Sequence, residues 1–207
     1  CLTVAVVTRV GSVRAGDYGL DPGRQADTVR FESAARLEFI EGRTQDIAGG
    51  FKIDPERTAD GVTGRLRVDL REIKTGIDLR DRHLRENHLH TDKFPHAFFD
   101  LTRVDGLPAR LEPGQAVTAT AHGNFYIHGG YRPIVADLEV TRQTSADGGE
   151  GVRVRARFAI DLEDYGIERP KAFFLKVAET IKLDLVFTGY AGTSAGEISL
   201  PGWPSLN

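Results

Sequence analysis

The chain has 207 residues, 40% hydrophobic and 28% charged, with a net charge of -3. That is enough for one sizeable core, without the concentrated basic surface that nucleic-acid binding requires. Its single Cys excludes an internal disulfide framework, and the apolar run Val4–Val7 is far too short to span a bilayer.

Residues 1–17 read as a leader or tether. Cys1, in a chain without Met, is expected to be the lipidation site of a processed bacterial lipoprotein, whose acyl chains would anchor it to a membrane. The other reading is a truncated secretory signal, with Leu2–Val7 as the end of its apolar region and Val13-Arg14-Ala15 as the cleavage site. Either reading places the protein outside the cytoplasm, in the periplasm or cell envelope.

From Tyr18 the pattern changes to period two. Val29, Phe31, Ser33, Ala35, Leu37 and Phe39 alternate with Arg30, Glu32, Ala34, Arg36 and Glu38, which predicts one strand with a buried and a wet face. Ile47, Gly49, Phe51 and Ile53 repeat it up to the turn signal Asp54-Pro55. Leu66, Val68 and Leu70 then face away from Arg65, Arg67, Asp69 and Arg71. Thr75 to about Leu89 predicts a helix capped by Thr75 or Asp78. A strand near Phe99–Val104 is followed by one with Val117, Ala119, Ala121, Gly123, Phe125 and Ile127 inward. Gly129-Gly130 predicts a hairpin turn, with Ile134, Ala136, Leu138 and Val140 on the return. Asp147-Gly148-Gly149 predicts a second turn, before a strand from Val152 to Leu162 with Arg153, Arg155 and Arg157 outward. Arg169–Ala178 is a second candidate helix, and the last strand sets Ile181, Leu183, Leu185 and Phe187 against Lys182, Asp184 and Thr188. The tail from 191 to 207, rich in Gly, Ser and Pro, is expected to be loosely ordered. About eight antiparallel strands suffice for a barrel around one ligand; a two-sheet sandwich gives the same alternation.

The stretch from Thr75 to Phe99 closely resembles the central motif of the YceI family: a Thr-Gly, then Arg-Asp-x-His-Leu-Arg, then Tyr/Phe-Pro before a Phe-containing strand. Arg80, Asp81, His83, Leu84, Arg85, Phe94, Pro95 and Phe99 fall on it. Gly50-Phe-Lys-Ile-Asp-Pro55, His128-Gly-Gly-Tyr-Arg-Pro133 and Phe158–Lys171 are similar to further family segments, so the likeness spans roughly residues 18–190. Arg24–Thr28 departs from the His/Ser-rich start expected there. The resemblance implies an all-β fold, a single antiparallel eight-stranded lipocalin-like barrel with one or two short helices covering an end. It also implies a non-catalytic binder of a polyisoprenoid, an isoprenoid quinone or a fatty-acid derivative, with no other cofactor, and makes a homodimer plausible.

An apolar inward face ordinarily means a filled core. With the family resemblance beside it, the face is read instead as a tunnel for a long tail, each buried methylene contributing ~0.8 kcal/mol. The expected lining is Phe31, Leu37, Phe39, Phe51, Leu66, Val68, Leu84, Phe99, Phe125, Ile127, Phe158, Ile160, Phe173 and Phe174. Arg80, Arg85 and His83 are expected at the head group, a guanidinium being suited to bidentate phosphate contact; the competing reading makes Arg80 and Asp81 structural. His83, His88 and His90 offer an alternative, a periplasmic metal-binding or stress-related protein, although Pro95 and Thr91-Asp92 argue that the helix ends before His90. Catalysis is not expected. Ser33, Ser145 and Ser194 lack a G-x-S-x-G elbow, and Asp161, Glu163 and Asp164 read as a solvated turn.

Overall fold

The structure is a computed structural model that describes residues 16–21, 27–34, 39–145, 148–168 and 178–193, without the side chains of Ala34 and Phe39. The strands are β1 (Gly16–Leu20), β2 (Thr28–Ala34), β3 (Phe39–Thr44), β4 (Ile47–Ile53), β5 (Thr63–Asp69), β6 (His96–Asp105), β7 (Ala116–Ile127), β8 (Gly130–Thr144), β9 (Glu150–Asp161) and β10 (Thr180–Ala191). Between β5 and β6 lies one short helix, α1 (Asp78–His83), which runs into a π-helical turn at Leu84–His88.

Eight strands close an antiparallel barrel in the order β1-β4-β5-β6-β7-β8-β9-β10, with β1 returning to β10. Period two along long strands makes this closure possible, because every inward set can then face one axis. Phe125 and Ile127 of β7, Ala136 and Val140 of β8, Val154 and Ile160 of β9, and Leu185 and Phe187 of β10 are all buried.

The remaining pair, β2 and β3, enters the wall beside β10. Gly189–Ala191 of β10 pairs with β1, whereas Lys182–Val186 pairs with β2. Between the two ladders the Thr188 N–H donates to the buried Asp27 carboxylate at 3.0 Å, which satisfies a backbone group that neither strand reaches.

The expected single strand from Val29 to Phe39 is therefore two strands of a hairpin. Val29 pairs with Thr44, Phe31 with Gly42 and Ala34 with Phe39, so Phe39 falls outside the Val29–Phe31–Ser33 set. Nothing between Ala34 and Phe39 is Gly, Pro, Asn or Asp, and the reversal carries no turn signal. Leu37 lies outside the described residues. The eighth barrel strand is β1, which begins at Gly16, inside the expected leader.

Smaller departures have similar causes. The helix takes Ile77 as its N-cap, without a side-chain cap. Thr75 instead donates its backbone N–H, at 2.7 Å, and its hydroxyl to the buried Asp81 carboxylate. The β7–β8 turn uses His128 (φ 54°) and Gly129 (φ 80°), while Gly130 already pairs with Ile127; two left-handed residues are what a right-twisted hairpin needs. Asp69 and Thr188, expected on the wet face, are buried. Asp69 is held by the Arg71 guanidinium, with Nε at 2.9 Å, and Thr188 by Asp27. The second candidate helix, except for Ala178, lies outside the described residues, as do residues 194–207.

One end of the barrel is sealed. Tyr18 stacks on Phe51 at 5.6 Å and 2°, and Phe187 meets Phe51 edge-on at 6.3 Å. A Cβ on Gly189 would lie 2.6 Å from the Phe51 ring, so only glycine admits that stack. Over it, Arg142 joins Glu56 at 2.6 Å and Glu150 at 2.8 Å, and the loops meet where Leu111 N–H donates to Pro55 O at 2.8 Å. The opposite end carries α1, the π-helical turn and the β2–β3 hairpin.

Candidate functional site: an apolar cavity at the helical end

The inward faces that pack solidly at the sealed end enclose a cavity of about 460 Å³ at the helical end. Its walls include Leu66 and Val68 of β5, Phe99 of β6, Phe125 and Ile127 of β7, Phe158 and Ile160 of β9, and Phe31 of β2, with Leu84 above. These nine were among the expected lining, eight on strands and Leu84 on the family motif. Phe51 was expected too, but it belongs to the sealed end and borders only a separate void of about 70 Å³. Leu37, Phe173, Phe174 and Cys1 lie outside the described residues, and Phe39 is described by its backbone alone.

Several wall residues escaped the period-two reading because they stand where that period stops. Ile73 lies beyond β5, Leu89 ends the π-helical turn, and Ile167 follows β9, whereas Leu70 continues the inward set of Leu66 and Val68. Ile77 and Leu79, on the rim, are 52% and 53% exposed. Large aliphatic groups left in water beside an apolar opening mark the entrance.

The rim is the polar part of the site. Arg43, Thr75, Arg80, His83, His88 and Glu168 border the opening. Arg80 was expected there, and its Nε donates to Thr75 Oγ1 at 2.9 Å while Nη2 donates to Thr75 O at 3.0 Å. Those bonds fix its fork and explain why Arg80 and Asp81 flank one threonine. Arg43 was missed. Its backbone exchanges two 2.9 Å hydrogen bonds with Lys74, which ties β3 to the segment before α1 and places Arg43 at the opening. Arg85 is not among the residues that line the cavity, and its Nη1 is buried without a hydrogen-bond partner among the described residues.

The histidines do not converge. His88 Nδ1 is 2.9 Å from Glu168 O, and burial pulls the His88 imidazolium below its usual range, so the neutral ring donates to that carbonyl. His90, at φ 45°, leaves the helix and meets His128, Nδ1 to Nε2 at 2.8 Å. His128 in turn lies 3.1 Å from Tyr165 O, whose own phenol burial has pushed up to about 12. Among the described residues no group of three His, Cys, Asp or Glu side chains is placed to hold a metal. Ser33 Oγ accepts from the Ala178 N–H at 3.2 Å, and Ser145 Oγ donates to Gly149 O at 3.0 Å.

Known proteins share this architecture. A UPF0312 protein of Pseudomonas putida strain W619 is 26% identical over 184 residues, covering 86% of this chain and 88% of its own. A polyisoprenoid binding domain from Saccharophagus degradans, implicated in plant cell wall breakdown, superposes with a TM-score of 0.66 at 20% identity, over 86% of this chain and 99% of its own. Burkholderia cenocepacia BcnA does so with a TM-score of 0.64 at 14% identity, over 82% and 98%. The model of the YceI-like domain matches residues 18–188, and with the closed barrel this shows that the chain belongs to the YceI-like domain family.

Proposed function

We propose that this protein binds one long-chain amphiphilic lipid, with an isoprenoid or acyl tail inside the barrel and its head group at the rim, and carries it without chemical change. The observation that carries the reading is the 460 Å³ apolar cavity inside a closed barrel. A void of that size left empty forgoes dispersion contacts on every side. An unbranched or isoprenoid tail fills it while leaving water, at ~0.8 kcal/mol per methylene. The Saccharophagus degradans domain of the same fold is a polyisoprenoid binder, which supports the same ligand class here. Family membership likewise favours a binding protein over an enzyme.

The rim suits a polar or anionic head group, with Arg43 and Arg80 as cations and His83 as a hydrogen-bonding group. A cell-envelope location belongs to the proposal, since a lipid carrier works between membranes. Mass spectrometry of an organic extract from protein purified out of a bacterial envelope tests it. One long-chain lipid near equimolar ratio is expected. A clean extract from folded protein that also takes up no added palmitate or prenol overturns it.

A further inference from the structure

The barrel interior is divided. Behind the 460 Å³ cavity lies the second void of about 70 Å³, and Leu66, Phe99, Phe158 and Leu185 border both. They project from opposite walls: Leu66 pairs with Phe99 across β5–β6, while Phe158 pairs with Leu183, two residues from Leu185, across β9–β10. The two phenylalanine rings stack at 6.2 Å and 25° across the lumen. Both are only partly buried although they stand mid-barrel, as rings bordering empty space on either side would be.

Each ring is held. Phe125 meets Phe158 edge-on at 5.3 Å. Phe99 lies over Gly123, where a Cβ would come within 2.6 Å of its Cζ. Beyond the small void stand Phe51 and Phe187 of the sealed end, so a tail that passed the pair would have no exit.

Resting on the carrier reading, we propose that Phe99 and Phe158 form a floor that limits the length of the bound tail. At ~30 Å³ per water-sized group in a liquid, 460 Å³ holds on the order of 15 carbons, and roughly 20 at the tighter packing of a protein interior. The ligand class is thus a farnesyl, geranylgeranyl or palmitoyl-length tail. A much longer prenyl chain leaves methylenes in water, each costing ~0.8 kcal/mol against the bilayer it came from.

Native mass spectrometry of the whole chain, equilibrated with phosphatidylcholine vesicles carrying farnesol, geranylgeraniol, geranylfarnesol or solanesol, reads this limit directly. The wild type is expected to take geranylgeraniol over solanesol by at least about tenfold. Phe158→Ala or Phe99→Ala joins the two voids and moves the cut-off up to geranylfarnesol. Phe158→Ala with Ala136→Val, which refills the rear void that Ala136 lines, moves it back. Phe158→Leu keeps an apolar group there and gives a smaller shift should the alanine variants not fold. Equal uptake of all four prenols by the wild type, or a cut-off that none of the folded variants moves, overturns the floor alone. Uptake of no prenol and no palmitate by folded wild type overturns the carrier reading itself.

Discussion

The two ends of the barrel share most of their strands and the same alternation, yet one is solid and the other hollow. At the sealed end β1 alone bridges β10 and β4, and Tyr18, Phe51 and Phe187 fill the lumen. At the helical end β10 turns instead to β2 and β3, so two further strands stand in the wall. Barrel diameter grows with strand number, and phenylalanines of the same size then line the space where they would otherwise fill it. An inward apolar face is therefore neutral between core and cavity; the strand that closes the seam decides.

This contrast can be broken by mutation. Phe51→Ala should have the largest effect, about 3–5 kcal/mol of lost stability, because Phe51 is closely packed by Tyr18, Phe187 and Gly189. Phe31→Ala, on the hollow side, should cost less than half as much in urea unfolding. Equal losses would mean that the two ends are packed alike.

The seam itself is open to a pH measurement. Burial holds the Asp27 carboxyl up at about 6 against an ordinary 3.8. Between those values the folded chain holds a proton that the unfolded chain has released, so stability falls as pH rises from about 4 to 6. Asp27→Asn keeps an oxygen for the Thr188 N–H and removes the titration. It should flatten that fall and leave the variant up to about 3 kcal/mol more stable above pH 6. Parallel pH–stability curves for the two proteins would show that the carboxylate is well solvated.

Arg142→Met sharpens the comparison at the sealed end. It leaves Glu56 and Glu150 facing each other without their shared cation, at an expected cost of about 2 kcal/mol in thermal or urea unfolding. Prenol uptake at the far end should not change. The smallest effect belongs to the rim, where Arg43→Ala should alter stability by no more than about 0.5 kcal/mol. It should nonetheless weaken geranylgeranyl phosphate relative to geranylgeraniol; an unchanged ratio would remove Arg43 from head-group recognition.

Much of the architecture was legible from residue order alone. Leu66–Val68, Phe125–Ile127, Phe158–Ile160 and Ile181–Phe187 show their inward faces because a strand alternates strictly and each buried side chain must be apolar. The motif from Thr75 to Phe99 pointed to the family that the YceI-like match then showed. The hairpin reversal between Ala34 and Phe39 was not legible, because an ordinary stretch of chain makes it and the alternation continues on either side. Neither was the pairing of His90 with His128, 38 residues apart, nor the bonds that occupy Arg80.

The sequence by itself determined a set of strands with apolar inward faces, since periodicity is a local property that each strand carries alone. The barrel rather than a sandwich came from the resemblance to the family. Only the tertiary structure decided that Phe51 would be core while Phe31 lined a cavity, and that Arg43 rather than Arg85 would reach its rim. Volume and convergence depend on which strands become neighbours around the ring, and no single strand encodes its neighbours.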